Sequence, residues 1–169
     1  MKMQTHTEKG AHMSNESKHP EEVLKSMGIE LPEAPAPAAS YLPWVRTENL
    51  LLTAGQISVD RGEFVAQGIV GDTVTLEQAQ ACARQCAINI LAQAKAATGD
   101  LARVKKILKL TVFVASTSDF TNQHLVANGA SEFMAEVFGE AGRHARSAVG
   151  VPCLPLNSPV EIEAIIELD

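Results

Sequence analysis

The run TLEQAQACARQCAINILAQAKAATGDLARVKKILKLTVFVA, residues 75–115, decides the fold because it holds both kinds of regular element back to back. Thr75-Leu76-Glu77-Gln78 is a capping-box pattern, in which the Thr hydroxyl accepts from the third helical amide while Gln78 reaches back to the cap. The helix it opens is predicted to run to Thr98 and to stop at Gly99. Its inward stripe is Leu76, Ala79, Ala83, Cys86, Ile90 and Ala94, at helical spacing and mostly small, which allows close approach to a sheet. Beyond Gly99 the period falls to two. Val104 to Ala115 reads as a long strand, with Leu108, Leu110, Val112 and Val114 on one face and Ile107, Lys109, Thr111 and Phe113 on the other.

Working toward the C-terminus, Ser118-Asp119 can cap a second helix with Val126, Ala130, Phe133, Met134, Val137 and Phe138 inward, ended by Gly139. Arg146 to Val151 and Val160 to Leu168 read as the last two strands. In the final one Val160, Ile162, Ala164, Ile166 and Leu168 face one way, and Glu161, Glu163, Ile165 and Glu167 the other. Toward the N-terminus, Asn49 to Gln56 is strand-like, and Val59 to Phe64 turns into another strand. Pro20 to Gly28 has the acidic start and glycine stop of a short helix. Leu31 to Ala39 carries alternate prolines, which remove amide donors and force an extended arm. Residues 1–20 are polar and read as a flexible N-terminal segment, part of it a tag, since Gly10-Ala11-His12-Met13 resembles a vector junction.

The order strand, strand, helix, strand, helix, strand, strand predicts an α+β sandwich: a mostly antiparallel sheet with two helices of similar length on one face. Its second face is mixed in polarity and calls for a partner surface, hence an oligomer. The short helix and arm occupy residues 21–40, and one domain follows over 41–169.

Composition narrows the function. The chain has 169 residues, 46% hydrophobic and 20% charged, with a formal charge of −6. A single core is expected, and the acidic balance argues against nucleic acid as a partner. Three cysteines, Cys82, Cys86 and Cys153, leave an odd number with no framework spacing, which fits a reducing compartment. Cys82 and Cys86 share a helix face and read as small buried hydrophobes rather than metal ligands. No apolar run matches a membrane span or a signal peptide, so a cytoplasmic protein with no membrane partner is expected. No motif for a cofactor or a metal is present.

The chemistry-bearing residues gather late in the chain. Arg146 opens a strand whose next residues are small or apolar, and its planar fork suits a carboxylate bidentately. If Pro152 to Pro159 closes a hairpin, Ala148 falls opposite Glu161 and Arg146 opposite Glu163, placing cation and carboxylates on one face. A register shift of one residue breaks that arrangement. A cation that binds substrate beside a carboxylate that orients water is a minimal hydrolytic constellation; the plain alternative is an ion pair between Arg146 and Glu163. His144 shares the parity of Arg146 and so could reach the same site, although a histidine at such a loop-to-strand junction is more often simply solvated.

Several segments, taken together, go beyond generic pattern. Thr53-Ala-Gly-Gln-Ile57, Leu110-Thr-Val-Phe-Val114, Ser118-Asp-Phe120, Ala145-Arg-Ser-Ala-Val149 and Val160-Glu-Ile-Glu-Ala164 resemble, in order and approximate spacing, the reactive intermediate deaminase (Rid, YjgF-like) family. The resemblance covers roughly residues 32–168, and the arm together with Asn128-Gly-Ala-Ser is similar to a longer, less characterised branch. It implies a chorismate-mutase-like fold and homotrimers with a barrel-like core and clefts between subunits. It implies hydrolysis of enamines or imines to 2-oxo acids and ammonia, with no cofactor. By the same resemblance Arg146 holds the carboxylate of a small metabolite and Glu161 positions or activates water. Asn128 and Tyr41 line the cleft, and Gly55 shapes its wall. Two departures stand out: Ala54 where the family often has Ser, and Ala148 where deaminase-like members often have Cys. The competing readings are a carboxylate-metabolite binding or regulatory trimer without turnover, and a ribonuclease, which the acidic charge disfavours.

Overall fold

The computed structural model describes residues 19–37 and 39–169, so residues 1–18 of the expected flexible segment and Ala38 of the arm lie outside the described residues. Four helices are seen among them: α1 (Pro20–Ser26), α2 (Leu76–Thr98), α3 (Gln123–Val126) and α4 (Asn128–Phe138). The strands are β1 (Trp44–Thr47), β2 (Leu50–Thr53), β3 (Gln56–Ile57), β4 (Val59–Asp60), β5 (Glu63–Phe64), β6 (Val104–Ala115), β7 (Ala145–Val151) and β8 (Val160–Leu168). The main sheet runs β1-β2-β8-β6-β7 with β3 also on β8, while β4 and β5 form a small hairpin apart. Every pairing in the main sheet is antiparallel except β6 with β7. This is the expected α+β sandwich with a mostly antiparallel, mixed sheet.

The capping box at Thr75 and Gln78 forms with both bonds in place, and Gly99 ends α2 in the left-handed region at φ 79°. Ala79, Ala83, Cys86, Ile90 and Ala94 are fully buried against the sheet. Both Cys82 and Cys86 are buried and free, and burial pushes both thiols up, so they behave as inert core residues. A second face of α2 holds something the apolar stripe does not reveal. Gln85, Asn89 and Gln93, four residues apart, are all buried and all hydrogen-bonded. Asn89 donates to the carbonyls of Ile57 and Val59 at 3.0 and 2.8 Å, and Gln93 donates to Pro35 at 2.7 Å. The arm therefore has a fixed seat on α2 through the shortest hydrogen bond of the buried Gln93 amide, which also donates to Gln56 Oε1 at 3.4 Å. At the far end of α2, α1 is tied down by Glu21 to Lys95 at 3.0 Å and His19 to Asp100 at 3.2 Å.

Four expectations are corrected. The most consequential concerns Arg146 to Val151 and Val160 to Leu168, which do not pair as a hairpin: β6 lies between them. The α3–α4 segment carries the chain back over the sheet so that β7 joins β6 in parallel, a connection that needs a crossover of this length. The proline-rich loop then crosses the end of β6, whose Ser116 and Ala115 amides donate to Val151 and Pro159. Second, the face assignment of β6 fails at its start. Bulges between Val104 and Lys106 and between Ile107 and Lys109 shift the alternation, so Ile107 is buried and Leu108 only half-buried. Third, Ser118-Asp119 caps no helix. The segment Thr117–Phe120 is a turn, α3 begins at Gln123, and the two main helices differ in length, 23 and 11 residues. Fourth, the strand expected over Asn49–Gln56 breaks at Ala54-Gly55, while β1 before it was not anticipated.

Glycine fixes where α4 sits. A Cβ on Gly129 would overlap the Gln80 carbonyl, so α4 rests directly on the α2 backbone. The same contact sets the position of Asn128 and Ser131, on either side of Gly129.

Candidate active site

The five residues singled out in the sequence fall into two groups that the chain keeps apart. Arg146 pairs with Leu110, which pairs with Ala164, both buried under the helices. Glu161 pairs with Phe113, which pairs with Val149. Since side chains alternate along a strand, Arg146 is on the helix side of the sheet and Glu161 on the other. The shared face expected from a hairpin is overturned, and so is the ion pair of Arg146 with Glu163.

The first group is a cradle at the sheet edge. Arg146 Nη1 donates to Asn128 Oδ1 at 2.9 Å and to Ser131 Oγ at 3.0 Å, and Nη2 donates to the His124 carbonyl at 2.8 Å. All three acceptors are neutral. No carboxylate among the described residues pairs with Arg146, so its charge stays uncancelled, and the Nε hydrogen and one Nη2 hydrogen remain for an incoming anion. His144 backs the cradle and is not solvated. Its Nδ1 lies 2.6 Å from the Gly142 carbonyl and must donate there, which leaves Nε2, 3.0 Å from Ser131 Oγ, to accept. Burial and the nearby Arg146 charge lower the His144 pKa, keeping it neutral around pH 7. Ser131 thus accepts from Arg146 and donates to His144. Its spacing of three from Asn128 on one helix face was the available sequence signal for it.

The second group lines a pocket of about 350 Å³ beside the break between β2 and β3. Tyr41, Gly55 and Glu161 all line it, together with the arm and the loop at Pro155 and Leu156. Gly55 leaves room for the Glu161 carboxylate, which a Cβ at this position would overlap and push aside. Burial, reinforced by the like charge of Glu163 two residues on, raises the Glu161 pKa above the usual carboxylate range. A half-buried carboxylate with a raised pKa, facing a pocket, is suited to pass a proton. Ala54, by contrast, offers no side-chain hydrogen bond, and Ala148 packs against the core. Among the described residues no cluster of His, Cys, Asp and Glu could hold a metal, and no helix is long and apolar enough to cross a membrane.

Comparison with known proteins bears on both halves. The model of the family described as "YjgF/chorismate_mutase-like, putative endoribonuclease" matches residues 21–168. The crystal structure of Atu1372 from Agrobacterium tumefaciens, a protein of unknown function, superposes with a TM-score of 0.83 at 48% identity, covering 89% of this chain and 92% of that one. Protein TCP17 of Trypanosoma cruzi is 46% identical over 86% of this chain and 92% of its own length. The 2-iminobutanoate/2-iminopropanoate deaminase of Salmonella typhimurium is 34% identical over 83% of this chain and 96% of its own length. With this sheet order, these helices and a match across nearly all the described residues, the chain belongs to the YjgF/RutC family, the Rid-type proteins its motifs resemble.

Proposed function

We propose that this protein hydrolyses 2-imino acids, and their enamine tautomers, to 2-oxo acids and ammonia, in sites assembled between copies of the chain in a homotrimer with a barrel-like core. The observation that carries the reading is the separation just described. An Arg with no carboxylate partner among the described residues and a half-buried carboxylate that lines a pocket point from opposite faces of one sheet. Each is half of a hydrolytic site, and a second copy can supply the missing half. The uncovered sheet face supports association, since Phe113, Ile165 and Val149, the last 44% exposed, stand on it. The imine deaminase name of a relative with 34% identity supports the chemistry.

In this reading Arg146 of one subunit takes the substrate carboxylate through its remaining donors, with Asn128, Ser131 and His144 holding the fork in place. Glu161 of the neighbour accepts a proton from a water as that water attacks the iminium carbon. The protonated Glu161 then donates to the nitrogen of the carbinolamine, which collapses to the 2-oxo acid and releases ammonia. The balance is R–C(=NH2⁺)–COO⁻ plus H2O giving R–CO–COO⁻ plus NH4⁺. One carboxylate can do both steps, because the raised pKa favours taking up the water's proton and leaves a neutral acid beside the nitrogen to return it. Tyr41 and Gly55 frame the pocket in which this occurs. Glu161 and Glu163 side by side disfavour a phosphodiester, so ribonuclease action fits this site poorly.

Ala148 and Ala54, which put neither thiol nor hydroxyl at the site, favour the second reading, a carboxylate-binding trimer without turnover. Ammonia release from imines generated in situ by an amino-acid oxidase separates the two. Faster release than the uncatalysed rate supports the enzyme. Binding of 2-oxo acids with no acceleration on any imine supports the binder.

A further inference from the structure

Resting on the proposed function, we infer that the Glu161 pocket selects 2-imino acids with a bulky apolar side chain, and that Leu156 with the proline arm forms the wall that reads it. Three observations carry this. The first is size and character. About 350 Å³ would hold about twelve waters at ~30 Å³ each, far more than the smallest 2-imino acid displaces. Apart from Glu161 the lining side chains are uncharged, and Pro35, Ala36, Pro37, Pro155 and Leu156 make up much of the apolar wall. With no cation in the wall, an acidic substrate side chain has no partner there.

The second is that this wall is built in advance. The arm is latched to α2 by the buried Gln93 through the Pro35 carbonyl at 2.7 Å. The loop opposite is held by Gln67 donating to the Leu156 carbonyl and by the Gly68 amide donating to Asn157, both at 2.9 Å. A preformed wall orders little on binding, so contact with it turns into affinity rather than into the cost of closing a loop.

The third is where Leu156 sits. Its backbone is left-handed, φ 56° and ψ 23°, and so is that of Asn157 at φ 60°. Leucine is disfavoured in that conformation, which glycine or asparagine adopts at lower cost. Leu156 is also 64% exposed, so core packing does not explain the choice. A leucine held in unfavourable backbone at the rim of a pocket, with its side chain uncovered, is placed to meet a ligand.

The test compares imines made in situ from alanine, leucine and phenylalanine, in the wild type and in Leu156→Gly, with calorimetry of pyruvate and 4-methyl-2-oxopentanoate alongside. Glycine suits the left-handed backbone, so the variant should fold. The expected result is a kcat/KM for the leucine-derived imine at least about tenfold above that for the alanine-derived one. Leu156→Gly should lose about tenfold on the leucine-derived imine, through KM, and change little on the alanine-derived one. Turnover that favours the alanine-derived imine, or a variant that affects both alike, overturns the inference and leaves the deaminase reading intact. If no imine is hydrolysed, the deaminase reading fails and the calorimetry decides alone. Tighter binding of the larger oxo acid, weakened in Leu156→Gly, would uphold the pocket's selectivity, and equal affinities would overturn it.

Discussion

The Arg146 cradle and the Glu161 pocket handle charge in opposite ways. In the cradle every partner of the guanidinium is neutral, an amide oxygen, a hydroxyl and a carbonyl, so geometry is fixed while the full charge is kept. In the pocket the carboxylate is desolvated beside a second carboxylate, and its charged form is weakened. The first arrangement suits holding an anion, and the second suits trading a proton. A salt bridge between the two would abolish both properties, leaving a cancelled cation and a carboxylate locked in its ionised form. The sheet prevents that within one chain, because Arg146 and Glu161 have opposite parity on strands separated by β6. The two opposite charges are kept on opposite faces of the sheet, where they do not neutralise each other within one chain.

The comparison breaks first at the cradle. Arg146→Ala should weaken binding of small 2-oxo acids by roughly a thousandfold, the scale on which losing one partner of a hydrogen-bonded charge pair is felt. Arg146→Lys should restore little, since a point charge lacks the fork. Ser131→Ala tests the support rather than the anchor and should cost only about three- to tenfold in affinity, the worth of one or two ordinary hydrogen bonds. Calorimetry measures all three, and unchanged affinity in Arg146→Ala would make the cradle a purely structural feature.

Between those extremes lies the pocket. Glu161→Gln should reduce kcat by about a hundredfold or more and leave oxo-acid binding nearly intact. As general base Glu161 must be ionised in the free enzyme. With its pKa raised, kcat/KM in the wild type should fall as pH drops through a value above the usual carboxylate range. That acidic limb should be missing from the residual activity of Glu161→Gln. A wild-type profile flat across mildly acidic pH, or equal kcat in the two proteins, would remove Glu161 from the proton transfer.

The two regions also differ in how far they could be read from sequence. Arg146 was visible as a cation at a strand opening, and Asn128 only through the family resemblance. Ser131, one turn on, could have been found by the same helical spacing. Glu161 was visible as one of three carboxylates on the polar face of an alternating strand. Its lack of contact with Arg146 was not, because that depends on β6 inserting between two strands only a short loop apart in sequence. Local pattern carries alternation but not strand order, and the eight residues from Pro152 to Pro159 fit a hairpin as readily as a step across one strand. The bulges in β6 escaped for a similar reason, since nothing in Val104-Lys105-Lys106-Ile107 marks an extra residue. The apolar wall of the pocket, joining residues near 36 and 156, is purely tertiary. Only Pro and Ala in the arm hinted that something apolar would be laid down there.

Separation of the two halves within a chain, and their union between chains, is most directly tested by mixing. Arg146→Ala and Glu161→Gln, each strongly impaired alone, should be co-expressed, and the mixed oligomers purified and assayed for ammonia release. A mixed trimer contains interfaces where an intact Arg146 from one variant meets an intact Glu161 from the other. Each mixed trimer holds one such interface in three, so about a third of the wild-type sites should return. Mixed oligomers as inactive as either parent, from a wild type that turns over, would mean that Arg146 and Glu161 serve one site from the same chain, contradicting this account.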